Sequence, residues 1–160
     1  MQIHVGIITV SDRASQGLYD DLGGPALKKA AEEYGWKFLI DALVPDERSA
    51  IQRAVREQIA KGCELILTTG GTGVALRDVT PEALREIAVR ELPGFGEVMR
   101  SESMKITQNA ILSRNLAVVV DKALVICLPG KPSGAVECLG FVVGAIPHCI
   151  EVLQEVPTSC

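Results

Sequence analysis

The sequence predicts a three-layer α/β fold in which helices pack on both faces of a mostly parallel sheet with one antiparallel strand. Short apolar segments alternate with amphipathic segments along the chain, as expected when each strand is followed by a helix that crosses the sheet. One pair of apolar segments is joined by only two residues, Asp121 and Lys122, which implies a hairpin and hence the antiparallel strand. The 160 residues, 48% of them hydrophobic, predict a single domain spanning 1–160.

The first half of the chain predicts three strands and two helices. Apolar runs rich in β-branched residues predict strands at 3–10, 37–44 and 65–69. The segment 25–34 predicts a helix that the following glycine ends. The segment 48–60 has apolar residues four apart on one face and charges on the other, so we expect an amphipathic helix there.

The second half begins with two predicted helices. Thr80 suits the N-cap of the first, with Pro81 at its first helical position, and the Leu-Pro-Gly at 92–94 should end it. A second helix over 94–109 is predicted less well, because its end carries the β-branched pair Ile106 and Thr107.

The chain closes with the hairpin and a long helix. The hairpin strands are predicted at 116–120 and 123–128, and a helix at 133–154 with a kink at Pro147. This helix is nearly apolar all round in its middle, so it is buried on more than one side, either within the domain or in a subunit contact.

Polar and glycine-rich loops follow four of the predicted strands. If these strands run parallel, their loops share one edge of the sheet, which is where such folds bind ligands. The residues that we expect there are Ser11, Asp12, Asp46, Gly70, Gly71, Thr72, Gly73, Asp78, Pro129, Gly130 and Ser133.

Each of these features also has a purely structural interpretation. A tight turn between strand and helix needs glycines without any ligand, and the Pro-Gly at 129–130 could be a plain turn. Asp46 could cap the helix at 48. Asp78 could cap the next helix, but Thr80 already suits that role, which leaves the Asp78 carboxylate without a structural function.

Together the loops predict a site for a magnesium-bound polyphosphate. The glycine loop lacks the lysine of a P-loop, so another positive charge must balance an anion. Mg²⁺ is typically held by one or two carboxylates and by phosphate oxygens, which Asp46 and Asp78 would satisfy. A helix N-terminus that begins near Ser133 would add free amides for a phosphate.

Composition excludes several other functions. A net charge of −4 argues against a protein that holds a nucleic-acid backbone. The N-terminus lacks a secretory signal, and the longest uninterrupted apolar stretch, 138–146, is far below the roughly 20 residues of a membrane helix, so we expect a cytoplasmic protein without a membrane partner.

Five cysteines without a Cys-x-x-Cys pair indicate unpaired thiols. The two histidines are badly placed for catalysis, His4 within a strand and His148 late in the last helix.

Six motifs in order give the chain a resemblance to a known family. They are SDRASQG, PDE, LTTGGTG with RDVTPEA, LPGFGEVMR, ILSR and LPGKPSGAVECL. The set resembles the molybdopterin adenylyltransferases of molybdenum-cofactor biosynthesis, which are related to the gephyrin G domain. A related branch of cofactor-biosynthesis proteins shares the glycine loop and RDVT, but SDRASQG and LPGFGEVMR are more similar to the adenylyltransferase branch.

The resemblance implies an enzyme that transfers AMP from Mg-ATP to the terminal phosphate of molybdopterin and releases pyrophosphate. It places the functional aspartates at Asp46 and Asp78, which would hold Mg²⁺, and the phosphate loop at 70–73. It also implies nucleotide or substrate contacts from Ser11 and Asp12, a homotrimer, and a partner protein that inserts molybdate. A non-catalytic pterin-binding or scaffold trimer of the same fold is the alternative. The roles of Glu97 and Arg100 stay open.

Overall fold

The structure, a computed structural model, describes residues 1–159. One sheet contains the six strands of this part of the chain, in the spatial order β2-β1-β3-β6-β5-β4. The strands are β1 (His4–Val10), β2 (Lys37–Val44), β3 (Leu65–Thr69), β4 (Arg90–Glu91), β5 (Leu116–Val120) and β6 (Ala123–Leu128). Strands β2, β1, β3 and β6 pair in parallel, whereas β5 is antiparallel to both of its neighbours. The predicted mostly parallel sheet with one antiparallel strand is confirmed.

Helices cover both faces of the sheet, as predicted. They are α1 (Asp12–Ser15), α2 (Gly23–Glu33), α3 (Arg48–Ala60), α4 (Thr80–Ile87), α5 (Pro93–Met104), α6 (Pro132–Val142) and α7 (Ile146–Leu153). Helices α2, α5, α6 and α7 bury apolar side chains against one face, and α3 and α4 against the other. Alternate residues of each central strand enter the two cores, as the two-residue period of a strand requires. Ile7 lies in one core and Ile8 in the other.

The segment after α4 corrects the predicted helix. Helix α4 ends at Ile87 rather than near Pro93, and the next residues form the short edge strand β4. The N–H of Val89 donates to the carbonyl of Val119 at 2.8 Å, and that of Leu92 to the carbonyl of Ala117 at 2.9 Å. These bonds pair the outer edge of β5, so sheet pairing outweighs local helix propensity here.

The cap of α4 is a second correction. The helix begins at Thr80 itself, and its N-cap is Val79, whose side chain makes no capping bond. The Thr80 hydroxyl instead donates to the carbonyl of Gly70 at 2.9 Å, and this side chain is fully buried. Thr80 therefore ties the helix start to the glycine loop rather than capping the helix.

Smaller differences follow from the ends of elements. The polar loop that was expected after β1 contains the single turn α1, and the helix predicted over 94–109 ends at Met104, before a 3₁₀ turn at Gln108–Leu112. The hairpin is confirmed, with Asp121 in the left-handed region at φ 53°.

The final helix is interrupted, as the position of Pro147 predicts. A 3₁₀ turn at Val143–Ala145 separates α6 from α7, and Pro147 lies in the first turn of α7, where its missing N–H is tolerated. The helical run Pro132–Leu153 has 22 residues, and an 18-residue window within it has a mean hydropathy of 1.7, so its length and composition alone would suffice to cross a membrane. Core helices of soluble proteins meet the same criterion, and both α6 and α7 contact β6 in this sheet.

Candidate functional site

The loops that follow β1, β2, β3 and β6 meet at one edge of the sheet, as the sequence predicts for parallel strands. They surround a cavity of about 470 Å³, which we call the first cavity. Its lining includes six of the residues expected from the sequence, namely Ser11, Asp46, Gly70, Gly71, Asp78 and Gly130. Lys131, Pro132 and the loop at 19–23 complete much of the remaining wall.

The glycine loop needs its first two glycines for conformational reasons. Gly70 has φ +102° and Gly71 has φ +69°, a region that side chains with a Cβ rarely adopt. A Cβ at Gly70 would lie 2.2 Å from the carbonyl oxygen of Val10, so the loop passes directly against β1. At Gly71 a Cβ would lie 2.3 Å from the Thr80 hydroxyl. Backbone and not side chains therefore forms this wall of the cavity.

Asp46 is fixed by Asp12 rather than by α3. The N–H of Asp12 donates to Oδ2 of Asp46, and the N–H of Asp46 donates to Oδ1 of Asp12, both at 2.9 Å. Arg77 donates to both carboxylate oxygens of Asp12, from Nε at 2.8 Å and from Nη2 at 2.7 Å. The N-cap of α3 is Glu47, so the suggestion that Asp46 caps this helix is wrong.

Asp78 does have a structural contact, contrary to the expectation from sequence. Its Oδ2 accepts the N–H of Ala75 at 3.0 Å, which closes the turn between the glycine loop and α4. Arg114 holds the same segment from behind: Nε donates to the carbonyl of Gly73 at 2.8 Å, and Nη2 to that of Asp78 at 2.6 Å. The Arg114 guanidinium also pairs with Glu82 at 2.6 Å.

Acidic groups dominate the electrostatics of the first cavity. Burial raises the pKa of the Asp46 carboxyl above its ordinary value, and the charges of Asp12 and Asp78 raise it further. Hydrogen bonds from Arg77, and then from the N–H of Asp46, lower the pKa of Asp12. Asp12 is thereby neutralised by its arginine, whereas Asp46 and Asp78 form no ion pair with any residue of the part that the structure describes.

The donor atoms fit a magnesium ion that arrives with a phosphate. Oδ1 of Asp46 and Oδ1 of Asp78 accept no hydrogen bond from residues 1–159, because each carboxylate uses Oδ2 for its structural contact. Residues 1–159 contain no cluster of three or more side chains suited to hold a metal by themselves. Two free carboxylate oxygens are what Mg²⁺ takes from a protein when phosphate oxygens complete its coordination.

The loop after β6 separates the first cavity from another of about 560 Å³, which we call the second cavity. Ser133 and Pro129 line the second cavity and not the first, so Ser133 lies apart from the phosphate site in which it was expected. Lys131 lines both cavities. Asn115, only 3% exposed, lines the second cavity and its Oδ1 has no hydrogen-bond partner in residues 1–159.

Other predicted residues serve as supports. Asp12, Thr72 and Gly73 are absent from the lining of the first cavity, and the carbonyl of Thr72 accepts the N–H of Arg114 at 3.0 Å. Arg100 lines the second cavity and donates to the carbonyl of Asn115 at 2.7 Å. Glu97 lines neither of these cavities but a smaller one of about 290 Å³.

Sequence reasoning missed several residues of the site. Tyr19 and Asp20 line the first cavity, where the acidic pair in YDD was the available signal. Asp21 accepts from the Thr9 hydroxyl at 3.0 Å and from the N–H of Gly24 at 2.9 Å, so it joins β1 to α2. Arg114 ends the ILSR motif, but the motif did not indicate that this side chain holds the glycine loop.

Fold and site together define an α/β protein with a glycine-lined, acidic cavity beyond the carboxyl ends of its parallel strands. The family model described as "Probable molybdopterin binding domain" matches residues 6–148. The chain belongs to this family of molybdopterin-binding domains, which confirms the resemblance of its motifs.

Known relatives agree with this assignment. The chain is 45% identical over 155 residues to a molybdopterin adenylyltransferase of Helicobacter pylori, a match covering 94% of this chain and 88% of that protein. It is 41% identical over 167 residues to the molybdopterin adenylyltransferase of Escherichia coli, covering 95% of this chain and 86% of that protein. The crystal structure of the molybdopterin biosynthesis enzyme MoaB from Thermus thermophilus superposes with a TM-score of 0.90 at 39% identity, covering 98% of this chain and 99% of that one.

Proposed function

We propose that this protein is a molybdopterin adenylyltransferase, which transfers AMP from Mg-ATP to the terminal phosphate of molybdopterin. The observation that carries the proposal is the pair of cavities that meet at Lys131, one of which has two free carboxylate oxygens beside a glycine loop. Adenylyl transfer joins two phosphate-bearing substrates, so it needs two adjoining sites with a shared boundary. The relatives that are named molybdopterin adenylyltransferases support the same assignment.

The first cavity would hold the nucleotide. Backbone groups at Gly70 and Gly71 form its wall close to β1, where a phosphate can approach without meeting a side chain. Mg²⁺, when bound through Asp46 and Asp78, would neutralise charge on the phosphates and make the α-phosphorus more electrophilic. The predicted contact from Ser11 fits this site, because Ser11 lines the cavity. Its hydroxyl oxygen also accepts the N–H of Ala14 and thereby caps α1.

The second cavity would hold molybdopterin. Ser133 and Asn115 supply polar atoms in its wall, and the unpaired Oδ1 of Asn115 is a buried acceptor that an N–H of a pterin ring would satisfy. Lys131 lies where the two phosphates would meet, and its side chain pairs with no carboxylate among residues 1–159. We assign it the positive charge that the glycine loop lacks.

In the reaction, an oxygen of the molybdopterin phosphate attacks the α-phosphorus of ATP. The bond between the α-phosphorus and the oxygen that bridges to the β-phosphorus breaks, and pyrophosphate leaves with that electron pair. The attacking oxygen is already anionic, so no general base is required, and catalysis consists of positioning and charge stabilisation. This agrees with the position of His4, which pairs with Glu64 at the far end of β1.

The decisive experiment is an assay of purified protein with molybdopterin and ATP, with and without Mg²⁺, for adenylylated pterin and pyrophosphate. Asp78→Asn is assayed in parallel, and Asp121→Asn, an exposed aspartate in the hairpin turn, is the matched control. We expect product that requires Mg²⁺ and Asp78 but not Asp121. Product formed equally without Mg²⁺ would contradict the metal assignment.

The same experiment separates the enzyme from its alternative, a pterin-binding or scaffold protein. Tight binding of molybdopterin without product under any condition would establish the non-catalytic function. Two carboxylates beside a phosphate would repel a ligand that comes without a metal, which favours the enzyme.

We further propose that the chain acts as one domain in a cytoplasmic homotrimer and passes its product to a molybdate-insertion protein. The six-stranded sheet supports one domain, and the free thiols of Cys63, Cys127, Cys138 and Cys149 suit a reducing compartment. An apolar groove of about 550 Å³ between α5 and α6, which includes Phe95 and Phe141, supports contact with another copy. Sedimentation equilibrium would measure the oligomeric state.

A further inference from the structure

Asp12 and Arg77 form an ion pair that lies beside the first cavity but does not line it. Both carboxylate oxygens of Asp12 accept from one guanidinium, at 2.8 and 2.7 Å. Two parallel bonds of this kind fix the plane of the carboxylate as well as its position, which a single contact does not. Asp12 was expected among the ligand-binding residues, yet its oxygens are directed to Arg77 and to the N–H of Asp46.

The Asp12 carboxylate, which Arg77 fixes, holds the backbone N–H of Asp46. The reciprocal bonds between the two residues, both 2.9 Å, hold the backbone of Asp46 and occupy its Oδ2. The other oxygen, Oδ1, then faces the glycine loop, where a Cβ on Gly71 would lie 3.1 Å from it. The backbone N–H of Asp12 holds the Asp46 carboxylate, and the carboxylate of Asp12 holds the Asp46 backbone. The orientation of the free oxygen thus depends on the placement of Asp12 as a whole residue, which its side-chain pair with Arg77 anchors.

Arg77 is what permits this arrangement of acidic groups. The negative charges of Asp12 and Asp78 both act on the Asp46 carboxylate, and like charges so placed repel one another unless a cation offsets them. Among residues 1–159, Arg77 is the cation that pairs with Asp12, and the Arg77 side chain is 60% exposed. An exposed pair contributes little to stability, so a role in the site explains its geometry better than a role in folding.

We propose that Arg77 is a positioning residue, which through Asp12 holds the Asp46 carboxylate in the orientation that receives the divalent cation. The inference rests on the proposed function only for the identity of that cation. Residues that orient metal ligands in this way typically contribute about 10–100-fold to metal affinity.

Charge and position predict opposite effects of removing Arg77. If Arg77 acted only through its charge, Arg77→Gln would strengthen cation binding, because a like charge leaves the neighbourhood of the metal. If Arg77 positions Asp46, the same substitution weakens cation binding. Arg77→Lys separates the effects further, since lysine keeps the charge but cannot form two parallel bonds to one carboxylate.

The test is a titration with Mn²⁺ as the probe, followed by the electron paramagnetic resonance signal of the free ion, with and without ATP. We expect Arg77→Gln and Arg77→Lys each to weaken Mn²⁺ binding by about 10-fold or more. Arg85→Gln is the matched control, because Arg85 makes a similar exposed two-bond pair with Glu91 and does not line either of the two substrate cavities. It should bind Mn²⁺ as the wild type does.

A double-mutant cycle tests the path through Asp12. If Arg77 acts through Asp12, the double variant Asp12→Asn, Arg77→Gln should bind Mn²⁺ no more weakly than whichever single variant binds Mn²⁺ less tightly. In steady-state assays the Arg77 variants should raise the Mg²⁺ concentration needed for half-maximal rate more than they lower kcat at saturating Mg²⁺. Their melting temperatures should stay within about 2 °C of wild type, as expected for an exposed ion pair.

The outcomes distinguish this inference from the proposed function. Wild-type Mn²⁺ binding that is unchanged or strengthened by Arg77→Gln overturns the positioning role and leaves the enzyme assignment intact. Additive losses in the double variant also overturn it. No Mn²⁺ binding by the wild type, with or without ATP, overturns the metal site and this inference together.

Discussion

Gly70→Ala should be the most destabilising single-methyl addition in the glycine loop. Gly70 is buried at the end of β3, with φ +102°, and its N–H donates to the carbonyl of Leu128 at 3.2 Å. The added Cβ would lie 2.2 Å from the carbonyl oxygen of Val10 and 3.3 Å from its carbonyl carbon. Both are backbone atoms of a central strand, which cannot rotate away as a side chain would.

Two terms give the magnitude. A left-handed backbone costs a residue with a Cβ about 1–2 kcal/mol. Forcing a methyl group into a packed interior costs typically about 1–3 kcal/mol. We therefore expect Gly70→Ala to lower the free energy of unfolding by about 3 kcal/mol, which corresponds to a fall in Tm of roughly 6–12 °C for a chain of this length.

Two other glycines separate the terms. Gly62 has φ +97° but no atom within 4 Å of its Cβ position, so Gly62→Ala carries the backbone term alone. Gly94 is in the first turn of α5 without a positive φ and likewise has open space, so Gly94→Ala should be neutral or slightly stabilising. The assay is urea unfolding followed by circular dichroism, with Tm as a second measure. The order of stability should be Gly94→Ala, then Gly62→Ala, then Gly70→Ala.

A Gly70→Ala variant as stable as Gly62→Ala would refute the steric part of the reasoning. It would mean that the loop and β1 can separate at little cost. In that case the close approach of the glycine loop to the strand would not be a rigid feature of the first cavity.

Three further predictions concern the supports around the site and the core. Arg114→Gln should lower both kcat, by at least about 10-fold, and Tm, because the backbone carbonyls of Gly73 and Asp78 lose a charge-assisted donor. Steady-state kinetics and calorimetry measure these two effects. Burial raises the pKa of the Cys127 thiol to about 12, so Cys127 should resist iodoacetamide at pH 8 in the native protein. The partly exposed Cys149 should react before Cys127, which peptide mass spectrometry would show. The hydrogen bond from Arg48 lowers the pKa of Glu86 in the folded protein. The ionised Glu86 carboxylate therefore stabilises the fold above the pKa that it has in the unfolded chain, and this stabilisation is lost as the pH falls through its folded-state pKa. Glu86→Gln should thus make the free energy of unfolding depend less on pH below about pH 4.5, as measured by urea titrations.

The fold was predictable because its main elements are periodic. Strands β2 and β3 and helix α3 have the bounds that the sequence predicts, since apolar spacing alone defines them. The edge strand β4 was missed because two residues are too few to show a period. The Thr80 cap was wrong because sequence reasoning weighed only the local helix, whereas the hydroxyl bonds to the glycine loop.

The candidate site was predictable in its location but not in its contacts. Parallel topology places the loops at one edge, so Asp46, Gly70 and Asp78 could be expected to meet. The Arg77 contact joins side chains 65 residues apart, and Arg114 reaches Gly73 across 41 residues. No local pattern encodes such pairs, because they depend on how the packed loops lie against one another.

The glycine loop has no lysine, and the other basic side chains at this edge of the sheet supply little free positive charge. Arg77 is paired with Asp12 and Arg114 with Glu82, so neither charge is free for a phosphate. Lys131 is the cation that lines both cavities, whereas the lining of the first cavity includes Asp20, Asp21, Asp46 and Asp78, none of which forms an ion pair within residues 1–159. One lysine cannot offset these carboxylates and a triphosphate. We therefore expect a nucleotide to bind well only with a divalent cation, so the charge arrangement predicts the Mg²⁺ dependence independently of the family resemblance.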